Sequence, residues 1–424
     1  MFRKAMLGDT ATLSLDFSAG SLPTAVTFTR ADSTARATYI DASGYVQTVA
    51  SAGAARFDYV GGVAKGMLIE ATATNLCLNS ETLTTGWLNV NMNTPTNPAI
   101  ADPFGGTSAT WKLVAASGSA LHLWRHSVIT LTAAAYTFSF WAKAVEYDRV
   151  IIADPGSGIG ACTFLLTGNG TATVVGGTAT NPQITPYPFG WYRCSVTITT
   201  LATTYALGIA GYPSGATLSN FGATYNGTGT DGVYATGLQI ELGSRSSSYI
   251  RTTTAALTRL ADDAVIRSTA WTGLYSKPGT IVVEYYRGEY GAGDRSVLAI
   301  DTAATKHIHL KHANASAASG IYNSAGSGVA NKLAGNASGL NKAAFNWDSA
   351  NPSTIKYALN GNATVVSGSS DIGATLGTWM TIGSASTTGV SGSGTWEGYL
   401  NNSIKSVKYY SELLSDAEMI AKTT

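Results

Sequence analysis

YTFSFWAKA (136–144) alternates Tyr136, Phe138 and Phe140 with Thr137, Ser139 and Trp141, and TIVVEYY (280–286) alternates Ile281, Val283 and Tyr285 with Val282, Glu284 and Tyr286. A period of two sends successive side chains to opposite faces of an extended chain, so both stretches predict strands with one face buried. Outward from them the same signal recurs, punctuated by turns: GNGT at 168–171, YNGTGTDG at 225–232, NSAGSG at 323–328 and NGN at 360–362. Helical signals are confined to the C-terminus, where Ser415 and Glu418 are spaced as a capping box ahead of one short helix. Many short strands, frequent turns and a single helix predict an all-β chain of antiparallel β-sandwiches or barrels, in tandem behind an N-terminal β-rich segment.

Composition narrows the function classes. The 424 residues predict two or three domains, and 45% hydrophobic content supplies sizeable cores. Only 12% of residues are charged, against a usual ~25%, and the formal net charge is +1. Nucleic acid needs a basic stripe and charge-driven disorder needs a large net charge, so both are excluded as expectations. The 47 Gly, 21 Tyr and 9 Trp, with runs of Ala, Ser and Thr, imply a smooth neutral surface suited to packing against other subunits. Cys77, Cys162 and Cys194 are far apart and form no CxxC, which predicts free thiols; Cys194 shares a strand face with Val196 and Ile198. No apolar segment of signal-peptide length and no run of ~18 apolar residues is visible, so membrane insertion is not expected and exit by lysis fits better than secretion.

Two boundaries are expected. One lies near residue 75, where GMLIEATATNL gives way to LNSETLTTGW, and one near 262, at the chain's only Asp-Asp pair, Asp262–Asp263. They divide the chain into 1–75, an N-terminal segment, and two sandwiches, 76–262 and 263–424, each of ordinary domain size.

The opening block VTFTRADSTARATYID (26–41), ARFDY (55–59) and GMLIEATATNLCLNSETL (66–83) resembles a leader of bacteriophage and prophage virion proteins. The pieces TGW (85–87), YTFSFWAKA (136–144), GWYRCSVTIT (190–199) and GLQIELGSRSSSYIRT (237–252) resemble a carbohydrate-binding-module-like β-sandwich. GTIVVEYY (279–286), NPSTIKYALNGN (351–362) and WEGYLNNSIKSVKYYSELLSDAEM (396–419) resemble a concanavalin A/laminin-G-like jelly roll. The resemblance implies a virion surface protein of tail-fibre, spike or head-fibre type. In that reading residues 1–75 attach to other virion proteins or to neighbouring copies, the assembly is a homo-oligomer, in particular a trimer, and the sandwiches face host cell-surface polysaccharide.

Catalytic chemistry finds little support in the residues. A retaining glycosidase needs two carboxylates ~5–5.5 Å apart, which one strand supplies at i and i+2 or i+4. Glu284 stands alone in its strand, and Asp262 and Asp263 read as a solvated interdomain connection. No nucleophile elbow or phosphate-loop lysine occurs, and DPGSGIG (154–160) reads as a turn ahead of a strand. His307 and His309 share one strand face with His312 nearby, read as a wet face rather than a metal site. His122, Trp124 and His126 share another and read as structural. No cofactor is expected beyond a structural calcium, for which Glu81 and Glu241, on the first and last strands of the middle sandwich, are the candidates.

Sugar rings stack their apolar faces on exposed aromatics while polar groups fix the hydroxyls. The expected glycan-binding residues are Trp347 and Asp348 in NWD, Trp396 and Tyr399 in WEGY, and Tyr286 and Tyr290 around RGEYGAGD. Trp141 and Trp191, set in the strand pattern, are expected to be structural. The residues therefore favour a non-enzymatic adhesion or decoration protein. A purely structural head or tail component and a glycan-degrading enzyme are the alternatives.

Overall fold

The computed structural model describes residues 11–127, 129–154, 160–201, 203–216, 218, 224–267, 278–287, 295–301, 307–313, 318–323, 331–334, 339–347, 356–365, 379–384 and 398–424. Among them strands dominate, every strand pair is antiparallel, and one α-helix is present, Asp416–Thr423 at the C-terminus. Ser415 caps that helix in the expected box: its hydroxyl accepts the Glu418 N–H and the Glu418 carboxylate accepts the Ser415 N–H. No described helix is long and apolar enough to cross a membrane.

The chain forms two compact units, one of residues 36–48 and 72–259, the other of 1–35, 49–71 and 260–424. In the first, a five-stranded sheet runs in the order Ala179–Pro186, Trp191–Thr199, Ala135–Ala144, Gly232–Leu242 and Trp111–Val114. A six-stranded sheet runs Thr171–Gly177, Gly160–Leu165, Arg149–Ala153, Gly208–Tyr212, Leu123–His126 and Trp87–Val90. Between them lie Phe138, Phe140, Cys194, Val196 and Ile198 from one sheet and Val150, Ile152, Cys162, Phe164 and Ile209 from the other. This is the alternation of YTFSFWAKA realised, with even-numbered residues facing inward and Trp141 on the outer face. A bulge between Ser139 and Trp141 re-aims the strand partner. There Gly237, at φ +61, leaves room for the Trp141 ring, where a β-carbon would approach the indole to 2.6 Å. The three thiols are free and buried, and burial pushes them up, Cys162 to about 12.

In the second unit the strand Gly279–Arg287 lies between Gly339–Trp347 and Asn402–Tyr410. The free edge of Asn402–Tyr410 is shared by two strands from the chain's start, Leu13–Asp16 and Val63–Ile69. A seven-stranded sheet begins with Thr27–Thr29 and Asp263–Arg267. The core joins Leu15, Phe17, Val26, Met67 and Ile69 to Ile281, Val283, Phe345, Met380 and Tyr409.

Residues 1–75 are therefore not a separate body. Their described part supplies strands and core to one sandwich, and residues 36–48 supply a hairpin to the other. The physical reason is that short strands such as LSLD and TFT have too little surface to make a core alone, and each completes a sheet edge left open by residues some 240–390 positions away. The second boundary falls at Arg259/Leu260.

Asp262 is likewise not solvated. It is fully buried and takes Arg30 Nη1 at 2.9 Å, Arg56 Nη2, and the Glu70 N–H at 2.9 Å. Arg30 Nε also binds Asp32 at 2.8 Å and Arg56 Nη1 binds Glu70 at 2.7 Å, all with side chains almost wholly shielded. Burial alone would pull the Arg56 guanidinium down; Asp262 and Glu70 outweigh it and push it up. Its neighbour Asp263 is partly buried, which raises its carboxyl, with Arg267 opposing.

Candidate functional site

Three of the six expected binding residues are described, and of these Trp347 has no surface to offer a ligand. Trp347 is fully buried, stacked at 5.8 Å and 24° on Tyr409, so its ring has no face for a ligand. Tyr399 is half-buried against the core, its phenol pushed up by burial and then by Asp263 and Asp262. The Tyr286 ring carries the Lys65 ammonium 5.2 Å from its centroid. Asp348, Trp396 and Tyr290 lie outside the described residues, as does most of the 154–160 turn. Strand His307–Ala313 pairs with Arg295–Asp301 and Ala318–Asn323, while the side chains of its histidines are not among those described.

The calcium candidates are occupied by the protein itself. Glu241 is buried and accepts Ser247 N at 2.9 Å, the Ser247 hydroxyl, and Gln239 Nε2 at 2.7 Å. Glu81 pairs with Arg251 at 2.9 Å and accepts from the Tyr249 hydroxyl. Burial raises both carboxyls above their ordinary range. Among the described residues no group of three or more His, Cys, Asp or Glu side chains could hold a metal.

His122, Trp124 and His126 are buried, under residues 78–91 rather than under the N-terminal segment. His126 Nδ1 donates to the Ser127 carbonyl at 2.6 Å and Nε2 accepts the Leu78 N–H at 3.3 Å, which fixes a neutral imidazole. Burial lowers its pKa, against the two backbone hydrogen bonds.

Among the described residues an exposed aromatic lies elsewhere. In PYPFG (186–190), Phe189 adopts φ 61 and ψ 24 and is 52% exposed. A left-handed conformation in a bulky residue costs on the order of 1–3 kcal/mol, and a side chain half in water offsets only part of it by burial. The turn is held closed on both sides: the Trp191 N–H donates to the Pro188 carbonyl, and the Tyr187 N–H donates to the Trp191 carbonyl at 2.7 Å.

The second ring comes from the hairpin Thr38–Ile40/Val46–Thr48. Asp41 shapes its turn by accepting the N–H groups of Ser43 and Tyr45, each at 2.9 Å. Tyr45 is thereby laid on Phe189, with centroids 5.2 Å apart and planes 19° from parallel. Gly44, at φ +86, is pressed against Pro188, where a β-carbon would come within 2.3 Å of Cγ. Tyr45 and Gln47 also line Gly105 of the neighbouring loop, and the Val46 N–H donates to the Pro103 carbonyl at 2.9 Å.

Beneath this pair the outer sheet face is an aromatic pile. Trp141, Trp191 and Tyr249 are buried together with Val46, flanked by Phe104, Tyr187 and Tyr234. Phe104 stacks on Tyr249 at 5.1 Å, Trp141 meets Tyr249 and Tyr187 edge-on, and the Arg193 guanidinium sits 4.8 Å over Trp141. Trp141 and Trp191 are structural, as expected, and they make the platform rigid. Lys143, two residues beyond Trp141, lies opposite Trp191 and Tyr234, with its Cε 3.7 Å from where a β-carbon on Gly190 would stand.

Sequence reasoning missed Phe189, Tyr45 and Lys143. The available signal was PYPFG itself: aromatic residues placed between prolines and a glycine, where a turn rather than a strand must display them.

No protein-family model matches the chain, and no curated protein matches it. Among solved structures, the CBM40 of the Ruminococcus gnavus IT-sialidase is 22% identical over 37% of this chain and 87% of its own, with a TM-score of 0.29. Mouse laminin α1 chain domains LG4-5 are 12% identical over 66% and 84%, with a TM-score of 0.27. Trypanosoma rangeli sialidase is 10% identical over 74% and 59%, with a TM-score of 0.30. Similarity at this level transfers no function.

Proposed function

We propose that this chain is a non-enzymatic virion surface protein that contacts host cell-surface glycans, with the Tyr45–Phe189 pair as its sugar-stacking platform. One observation carries the reading: a bulky residue is held in a strained backbone conformation with more than half its surface in water. Strain of that kind persists where the surroundings over-determine it, and it clusters at ligand clamps. Tyr45 covers one face of Phe189, and the surface of the residue that stays in water would receive the apolar face of a sugar ring. A stacked contact of this size is worth about 0.5–1.5 kcal/mol beyond area burial, so a single site is weak. Several copies on one particle, as in a trimeric fibre, would raise attachment through effective concentration.

Four buried carboxylates support the non-enzymatic part. Asp32, Glu70, Asp262 and Glu241 are buried and bound to internal donors, which leaves none of them free to protonate a leaving group.

A glycan array probed with the intact chain tests the proposal. Hits that vanish in Phe189→Ala, with the fold retained by circular dichroism, are expected. An empty array together with a location inside the particle would favour the purely structural alternative. Loss of polymer viscosity on incubation would favour the enzyme. Light scattering that shows only monomer at micromolar concentration would remove the avidity mechanism.

A further inference from the structure

The proposed platform has a cation beside it. Lys143 stands on the outer face of strand Ala135–Ala144, in register with Tyr234 on one side and Trp191 on the other, and its side chain runs along the Gly190 end of the turn that displays Phe189. Its ammonium makes no ion pair or hydrogen bond with a described residue. The carboxylates on the flanking elements are engaged elsewhere: Glu146 holds Lys112 at 2.8 Å and accepts the Gly232 N–H at 3.0 Å, and Asp41 accepts the Ser43 and Tyr45 N–H groups. In a chain with 12% charged residues, a lysine whose stem reaches the glycine after a strained aromatic, with no described carboxylate paired to it, is available as a recognition group.

We infer that the site takes a carboxylated saccharide, the apolar face of its ring on Phe189 and its carboxylate on Lys143. The inference rests on the glycan-binding reading and names its substrate class. Phe189 supplies a contact that any pyranose with a flat apolar face can make. Lys143 supplies an ammonium that pairs with a carboxylate as an ion pair, whereas a neutral sugar offers it only a hydroxyl, a weaker acceptor. Such a bond is stronger than a neutral one, so removing it should cost about tenfold in affinity. Most of that loss should fall on the acidic ligand, and the interaction should weaken as salt rises.

The test is an array that pairs each carboxylated glycan with its carboxyl-reduced counterpart, probed with the intact wild-type chain and with Lys143→Gln, Lys143→Arg and Phe189→Ala. Wild type is expected to bind carboxylated members about tenfold more tightly than their reduced partners. Lys143→Gln should erase that ratio while keeping residual stacking affinity, Lys143→Arg should restore it, and Phe189→Ala should abolish both. Equal binding of acidic and reduced members by wild type, unchanged in Lys143→Gln, would overturn the acidic-sugar inference and leave the glycan reading standing. Absence of binding to every member would sink the glycan reading itself.

Discussion

The two sandwiches tie down the early part of the chain with different polar devices. The unit built on Gly279–Arg287 holds an ionic clasp of Arg30, Arg56, Asp32, Glu70 and Asp262, five side chains with 0–4% exposure. The unit built on Ala135–Ala144, which also buries Asp102, Asp154, Glu241 and Arg259, ties down residue 75 with a neutral amide. Asn75 donates to the carbonyls of Leu238 and Ile250 at 3.1 and 2.8 Å, and its carbonyl accepts the Cys77 and Ile240 N–H groups at 2.9 and 3.0 Å. Both devices tie residues from the first 80 positions to partners 163–232 positions later. The difference lies in what failure leaves behind. A broken amide seam leaves unpaired dipoles, whereas a broken clasp leaves an uncompensated charge in a dry interior.

The largest effect should therefore come from the clasp. Arg56→Met removes the cation shared by Glu70 and Asp262, and destabilisation of about 3–5 kcal/mol is expected. Hydrogen exchange in strand Gly279–Arg287 should accelerate while Ala135–Ala144 stays protected. Loss confined to the wrong unit, or below 1 kcal/mol, would mean that the clasp matters little. Asn75→Ala should come second, at roughly 1–3 kcal/mol, because four hydrogen bonds to buried backbone lose their partner without stranding a charge. Its exchange signature should appear in the other unit, at Gly232–Leu242.

The contrast also marks how far the sequence could be read. Alternation in YTFSFWAKA and TIVVEYY is local, so the all-β class, the inward residues and the capped final helix were legible. The division at residue 75 was not, because the pairing of Leu15 with Val407 leaves no mark on either stretch. Asp262 looked solvated for the same reason: its two guanidinium partners sit 232 and 206 positions upstream. Those partners, with Asp32 and Glu70, all lie in the first 70 residues, far from Asp262 in the sequence. Trp347 was misjudged because its polar neighbours in NWD suggest a rim, while strand register carries its ring inward onto Tyr409.

A smaller effect should appear on titration. Burial lowers the His126 pKa below its ordinary 6.5, so the unfolded chain takes up the proton first as pH falls. Its contribution is complete above about pH 6.5 and is lost as pH drops through the folded value. The Glu81 and Glu241 carboxyls are raised, so their contribution runs the other way, present below their ordinary 4.5 and lost as pH rises through their folded values. Comparing wild type with His126→Gln cancels those carboxylates. Between pH 7 and 5 the stability advantage of wild type should shrink, and a constant difference would show that the imidazole does not titrate with unfolding.

The smallest expected change in stability has the opposite sign and bears most directly on function. Phe189→Gly places the one residue that favours φ near +60° where a phenylalanine is now strained. The lost ring was half in water, so little burial is forfeited, while the gain in unfolded-chain entropy works against the substitution. Relief of about 1–3 kcal/mol of strain, offset by about 1 kcal/mol of glycine entropy, predicts a net stabilisation of roughly 0–2 kcal/mol. Tyr45 would lose its stacking partner, and glycan binding would disappear. A variant that is more stable and no longer binds is what a site maintained against the preference of its own backbone produces. If Phe189→Gly were instead destabilising by more than about 1 kcal/mol, the ring would be serving the fold, and the platform would have to be sought elsewhere on the chain.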